Sequence, residues 1–223
     1  MISKKHKFIF GHIPKTAGNA IHNVLVDYSE CRLKCNAVGK NNPREDNYLD
    51  DFGIEYPLGN IGIIKHSSLK AYYSLWDESI YGSLDDYLKF TVVRNPWDRA
   101  ISLYFYMIHV VNPKAKRSYY EDRRSIDKKK FKQIMSRKCG SSQFDFIDVP
   151  SQGVKVDVIL KFENLQADFD SLCSKIGIPG KKLPKVNAGR HKHYTKYYDD
   201  EMNQFILDAY AKDISYFNYE FGK

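Results

Sequence analysis

The sequence predicts an α/β fold of three layers, a central parallel sheet flanked by helices, on three observations. Four short apolar runs, β-branched or aromatic in composition, alternate with amphipathic helical patterns. Helix punctuation stands where this alternation needs it: Asn95 before Pro96, Asn164 before an apolar-periodic run, and Gly177 after that run. A length of 223 residues, 43% hydrophobic and 28% charged, suits one domain spanning 1–223 and excludes collagen, a coiled coil and a disordered tail.

Taken in order, the strands are expected at His6 to His12, Asn60 to Lys65, Phe90 to Arg94 and Val156 to Phe162. The helices are expected at Gly18 to Tyr28, Pro96 to His109, Leu165 to Ile176 and Asp200 to Lys212. In the last of these Met202, Phe205, Ile206, Ala209 and Tyr210 form one stripe, which reads as a core-facing surface. Two polar, irregular stretches, Gly39 to Asn60 and Val111 to Ser125, read as loops over the active face. A further helix from Ser125 to Met135 would carry Lys128, Lys129, Lys130 and Lys132 after Arg123 and Arg124; a solvated face and an anion-binding face explain that cluster equally well.

Composition narrows the partners. A net charge of +8 points to anions such as phosphate, sulfate, nucleic acid or acidic polysaccharide. No apolar run is long enough to span a bilayer, and Phe8-Ile9-Phe10 is too short for a signal-peptide core, so a cytoplasmic protein is expected. Cys31, Cys35, Cys139 and Cys173 show no zinc-type spacing and read as reduced thiols.

Two segments carry chemistry. Phe10-Gly11-His12-Ile13-Pro14-Lys15-Thr16-Ala17-Gly18-Asn19-Ala20 joins a buried strand to a helix through turn-forming residues. Such a layout aims backbone N–H groups at one spot, where Lys15 adds a charge and Thr16 and Asn19 add side-chain donors. It is not the P-loop of a nucleoside triphosphatase, because Pro14 stands where that pattern needs its second glycine, and no strand ends in an acid placed for Mg²⁺. A metal-free transfer of an anionic group fits better. The second segment, Val92-Val93-Arg94-Asn95-Pro96-Trp97-Asp98-Arg99-Ala100-Ile101-Ser102, delivers Arg94 at a strand's C-terminal end, where open α/β sheets bind ligands. Arg94 and Ser102 suit a phosphate clamp, Asp98 and Arg99 a local structural pair, and Trp97 a packing role.

These two segments resemble the nucleotide-binding motifs of sulfotransferases that use 3′-phosphoadenosine 5′-phosphosulfate (PAPS), and in particular the carbohydrate branch with the uronyl 2-O-sulfotransferases and their bacterial relatives. The likeness extends to Ile159-Leu160-Lys161-Phe162-Glu163-Asn164-Leu165 and to Asn187-Ala188-Gly189-Arg190-His191-Lys192-His193-Tyr194. Asn19 departs from the Ser or Thr usual at its position, and its amide still donates. The resemblance implies a P-loop-like fold in which Lys15, Thr16, Ala17, Gly18, Asn19 and Ala20 cradle the 5′-phosphosulfate, Arg94 and Ser102 hold the 3′-phosphate, and Arg190 adds a further nucleotide contact.

Sulfuryl transfer builds charge on the oxygen bridging sulfur to the 5′-phosphate, which assigns Lys15 to stabilise it. The acceptor hydroxyl must lose a proton, and His66, expected directly after a strand, is the first choice of base; Lys65-His66-Ser67-Ser68-Leu69 also resembles the family's histidine segment. His12 is the second choice, and His191 and His193 suit the rim. Tyr72, Tyr73, Trp76, Tyr104 and Tyr106 with a basic surface suit a sugar acceptor, since aromatic faces pack on sugar rings and cations meet acidic groups. The expectation is thus a carbohydrate sulfotransferase acting on an anionic saccharide or glycan, with a P-loop-type kinase and a basic nucleic-acid-binding module as the rivals; none of the common nucleic-acid motifs occurs.

Overall fold

A computed structural model describes residues 1–29, 66–109, 125–136, 141–184 and 192–223. The strands are β1 (Ile2–Ser3), β2 (Phe8–Gly11), β3 (Leu88–Val93), β4 (Asp148–Val149), β5 (Gly153–Val154) and β6 (Val158–Lys161). The sheet runs β1-β2-β3-β6, with β2, β3 and β6 parallel and β1 antiparallel to β2; β4 and β5 form a separate hairpin. The helices are α1 (Gly18–Leu25), α2 (Leu69–Leu75), α3 (Glu78–Tyr81), α4 (Pro96–His109), α5 (Lys128–Met135), α6 (Leu165–Ile176), α7 (Asp200–Ala209) and α8 (Ala211–Phe217), with a helical turn at Phe144–Ile147. The molecule is mixed α/β, with a parallel-dominated central sheet flanked by helices.

The chain forms two compact units, Met1–Val93 with Phe146–Pro184 and Arg94–Asp145 with Lys185–Lys223. In the first, strand alternation puts Phe8, Phe10, Phe90, Val92 and Leu160 on one face of the sheet. That face is buried under Ile21, Val24 and Leu25 of α1 and Phe169, Leu172 and Ile176 of α6. Phe10 stacks on Phe90, ring centroids 5.0 Å apart, across the parallel pair. Each such buried ring contributes about 1.5–3 kcal/mol of apolar transfer. On the opposite face α2 approaches the end of β2, where Leu69 Cδ2 lies 3.9 Å from the place a side chain on Gly11 would start. In the second unit α4 packs on α5 through Tyr104 and Phe131, and Trp97 donates from Nε1 to Asn203 Oδ1 at 2.8 Å. Trp97 is a packing residue as expected.

Several boundaries differ for local reasons. The strand expected from His6 is β2 and starts at Phe8, because His6 N–H donates to Ser3 Oγ and Lys7 adopts φ 51°, which closes a turn ahead of it. The helix expected to Tyr28 is α-helical to Leu25 and continues as a 3₁₀ turn over Val26–Tyr28. The helix expected from Ser125 starts at Lys128, since Asp127 caps it by accepting from Lys130 N–H at 3.0 Å. The helix expected over Asp200 to Lys212 breaks at Tyr210 (φ −122°, ψ 27°) and restarts at Ala211. In its stripe Met202, Ile206 and Tyr210 are buried and Ala209 is exposed. Asn164 does not cap α6; its amide donates to Asp168 Oδ1 at 2.9 Å, and Asp168 Oδ2 accepts from Lys161 N–H. Asn95 does cap α4, and Gly177 ends α6 in the left-handed conformation. The strand expected at Asn60 to Lys65, the loops at 39–60 and 111–124, and Cys31, Cys35 and Cys139 lie outside the described residues; Cys173 is a buried free thiol.

Candidate active site

The loop from β2 to α1 is built from its strand outwards. Thr91 Oγ1 donates to Gly11 O at 2.6 Å and fixes the end of β2. Thr16 is fully buried, and its hydroxyl donates to Ile13 O at 2.9 Å, which closes the turn from inside. Its hydroxyl proton is therefore engaged in shaping the loop rather than offered outwards. Lys15 (φ 70°) and Ala17 (φ 65°) on either side adopt the left-handed conformation, which costs a non-glycine residue about 1–2 kcal/mol each. Backbone that alternates in this way turns successive N–H groups towards one concavity. No side chain caps α1 and no acid stands in its first turn, so the helix start keeps the polarity that favours an anion. Lys15 is half-buried and Asn19 exposed at this end.

Two histidines are organised by the same loop. His12 is buried and stacks on Phe10 at 5.3 Å, and its ring lies directly over Gly18: a Cβ there would meet His12 Nε2 at 2.1 Å. Gly18 is thus a glycine because an imidazole occupies the space of its side chain. His66 Nδ1 lies 2.8 Å from the His12 carbonyl oxygen, and the two rings meet edge-on at 4.6 Å. A carbonyl only accepts, so Nδ1 carries the hydrogen and the neutral ring keeps its lone pair on Nε2. A pocket lined by Gly11, Ile13, Ser67, Leu69, Thr91 and Ile147 adjoins both histidine-bearing segments.

The second unit holds Arg94. Its Nε and Nη2 both donate to Asp98 Oδ2, at 2.9 and 2.7 Å. Its backbone is held by a buried amide: Arg94 N–H donates to Gln143 Oε1 at 2.9 Å, and Gln143 Nε2 donates to Arg94 O at 2.8 Å. Asp98 thus forms its ion pair with Arg94, four residues before it, where the local pair was expected with Arg99. Arg99 is structural, but through Nη1 donating to Ser141 O at 3.0 Å. Asn95 Oδ1 accepts from Trp97 N–H while Nδ2 donates to Tyr194 Oη and to the carbonyls of Glu220 and Lys223. Ser102 is half-buried on α4. Arg190 and His191 lie outside the described residues, and exposed His193 contacts Thr195 Oγ1 at 2.9 Å through Nδ1.

Of the basic cluster, Arg123 and Arg124 lie outside the described residues, and three of the four lysines on α5 are paired with acids. Lys128 pairs with Asp199 and Glu201, Lys132 with Glu201 at 2.6 Å, and Lys130 with Asp127 at 3.7 Å. The Lys128 bond holds the Asp199 carboxyl below its ordinary value, the Lys132 bond does the same for Glu201, and Asp199 raises Lys128 in return. Of the aromatics proposed for a sugar, Tyr72 and Tyr104 are core residues whose burial raises their phenol pKa; Tyr73, Trp76 and Tyr106 are part-exposed. Sequence reasoning missed Gln143 and its carboxylate partner Asp213, which no local pattern joins to Arg94. The spacing of Arg94 and Asp98, opposite charges at i and i+4, was a signal that would have found their pair.

A parallel sheet whose first parallel strand leads through a cation-bearing turn into an uncapped helix defines an α/β protein with an anion-favouring turn after that strand. The profile of the sulfotransferase family matches residues 1–220. The chain belongs to that family, so it is an enzyme of sulfuryl transfer. Among solved structures it is similar to the crystal structure of a sulfotransferase from Alicyclobacillus acidocaldarius, at 14% identity over 96% of both chains and a TM-score of 0.44. No curated protein matches the chain. Among the described residues no cluster of three or more His, Cys, Asp or Glu is placed to hold a metal ion, and no helix is long and apolar enough to cross a membrane.

Proposed function

We propose that the protein transfers the sulfuryl group of PAPS to a hydroxyl of a carbohydrate acceptor by in-line attack, releasing adenosine 3′,5′-bisphosphate. The observation that carries this reading is the loop itself: the segment that presents Lys15 at the start of α1 also supplies, through the His12 carbonyl, the bond that sets the tautomer of His66. In the reaction the acceptor O–H bond breaks and its proton passes to His66 Nε2. The acceptor oxygen forms a bond to sulfur, and the bond from sulfur to the bridging oxygen breaks with its electron pair leaving on the nucleotide. Lys15 and the backbone N–H groups of Thr16, Ala17, Gly18 and Asn19 meet that developing charge, which is where an enzyme gains most; Ala20, implied as a further member of the cradle, has its N–H donating to Ala17 O at 2.9 Å and borders the cradle instead. The imidazolium then returns its proton to water.

The resemblance of the second motif assigns the 3′-phosphate to Arg94 and Ser102, with Arg190 as a further contact, and the step as written needs no metal. One family match across residues 1–220 supports treating 1–223 as a single functional domain. The net charge of +8 supports an anionic saccharide as acceptor. The acid pairing of Lys128, Lys130 and Lys132 on α5 counts against a nucleic-acid module. The cytoplasm is the proposed compartment, supported by the lack of a membrane-spanning helix among the described residues.

Calorimetric titration with adenosine 3′,5′-bisphosphate, with ADP plus Mg²⁺ as control, tests the donor. Micromolar binding of the bisphosphate that Arg94→Ala abolishes is the expected result, and tighter binding of ADP with Mg²⁺ overturns it. Sulfate incorporation from PAPS into a panel of acidic and neutral glycans tests the acceptor.

A further inference from the structure

We propose that Gln143, oriented by Asp213, is a positioning residue for Arg94 and thereby sets recognition of the donor's 3′-phosphate; this rests on the reading that Arg94 binds that phosphate. Arg94 follows directly on β3, so its backbone N–H and C=O lie just past the strand, in a buried setting where each needs a partner. Gln143 supplies both from one side chain, at 2.9 and 2.8 Å, and stands in for a neighbouring strand at that residue alone.

An amide can make such a pair of bonds in one orientation only, and the structure contains the group that dictates it. Asp213 on α8 is fully buried, and its Oδ2 accepts from Gln143 N–H at 2.9 Å and from Gln143 Nε2 at 3.3 Å. Its Oδ1 accepts from Ser142 Oγ at 2.5 Å and Phe144 N–H at 2.9 Å. A carboxylate facing Nε2 forbids the flipped amide, which would turn Oε1 towards a negative charge. The root of the Arg94 side chain is thereby fixed by Gln143 and its guanidinium by Asp98. Fork-like recognition of a phosphate by arginine depends on such fixed geometry. Gln143 lies 49 residues from Arg94 and Asp213 lies 70 from Gln143, so the assembly draws three separate stretches of chain onto one residue.

The test uses the full chain and two nucleotides, adenosine 3′,5′-bisphosphate and adenosine 5′-monophosphate, which differ only in the 3′-phosphate. Gln143→Met keeps the length of the side chain and removes its hydrogen bonds. The bisphosphate should bind about 10-fold to 10²-fold more weakly, the scale expected of a misplaced binding group, while the monophosphate affinity stays as in the wild type. Asp213→Asn, which retains one acceptor oxygen, should shift the ratio in the same direction by less. Equal weakening of both nucleotides in folded Gln143→Met marks a merely structural role and overturns the proposal. So does a wild-type ratio in both variants when Arg94→Ala loses the bisphosphate. If Arg94→Ala binds the bisphosphate as the wild type does, the donor reading has failed instead.

Discussion

Substituting Gly18 by alanine tests the account of the glycine that opens α1 beneath the His12 ring. The added Cβ would lie 2.1 Å from His12 Nε2, 2.2 Å from Cδ2 and 2.8 Å from Cε1, whereas ordinary contact begins at 3.4 Å. The ring must retreat by more than an ångström, yet it is stacked on Phe10 and edge-on to His66, and the carbonyl of the same residue holds His66 Nδ1. Overpacking of this kind costs about 1–3 kcal/mol. At about 2–4 °C per kcal/mol for a chain of this length, the unfolding midpoint should fall by about 2–12 °C in scanning calorimetry. Removing the obstacle removes the penalty: His12→Ala with Gly18→Ala should be no less stable than His12→Ala alone, a coupling of about 1–3 kcal/mol. A Gly18→Ala midpoint within about 1 °C of wild type, or a double variant showing the sum of both losses, refutes the explanation.

His66→Ala should lower kcat by about 10²–10⁴-fold while leaving bisphosphate affinity in place; near-wild-type turnover would transfer the role of base to His12 as the next test. Asn95→Ala removes the cap of α4 and should cost about 0.5–2 kcal/mol in thermal unfolding. Asn95→Asp keeps the capping oxygen but replaces the donor to Tyr194, Glu220 and Lys223 by a buried carboxylate oxygen that faces two carbonyls, so its deficit adds that repulsion to the loss of those bonds. Asp199 and Glu201 have depressed carboxyl pKa values through Lys128 and Lys132, so their contribution to stability is present above the ordinary carboxylate range and is lost as pH falls through the depressed values. Midpoints recorded from about pH 6 down to about pH 2 should fall, and Asp199→Asn with Glu201→Gln should flatten that limb, as should added salt.

The long elements were legible in the sequence because each carries its own boundary chemistry. Asn95-Pro96 and Gly177 delimit α4 and α6 at the residues observed. The strands β1, β4 and β5 are two residues long, below the length at which alternation forms a pattern, and they went unread. The break at Tyr210 was hidden by a stripe that continues to Tyr210 itself, whose hydroxyl reaches Met135 Sδ on another helix. At the site, the residue types of the two motifs were visible and their local wiring was not. Thr16 reads as an outward donor and instead ties down its own turn; Asp98 has basic neighbours at two spacings, and geometry selects Arg94. Gln143 and Asp213 lie too far apart in sequence for any window to join them.

The parallel sheet also governs when the protein can fold. Gly11 and Thr91, bonded across β2 and β3, are 80 residues apart, and Lys89 and Asp157 beside β6 are 68 apart. Each compact unit is moreover assembled from two pieces interleaved along the chain. A ribosome must therefore release β6 before the sheet closes, and the segment after Val93 is made long before the C-terminal half it pairs with. Cutting the gene after Val93 or after Asp145 parts β6 from β3 and gives fragments with a bare strand edge rather than a working half, so truncation at those points will yield aggregates where point substitution yields answers.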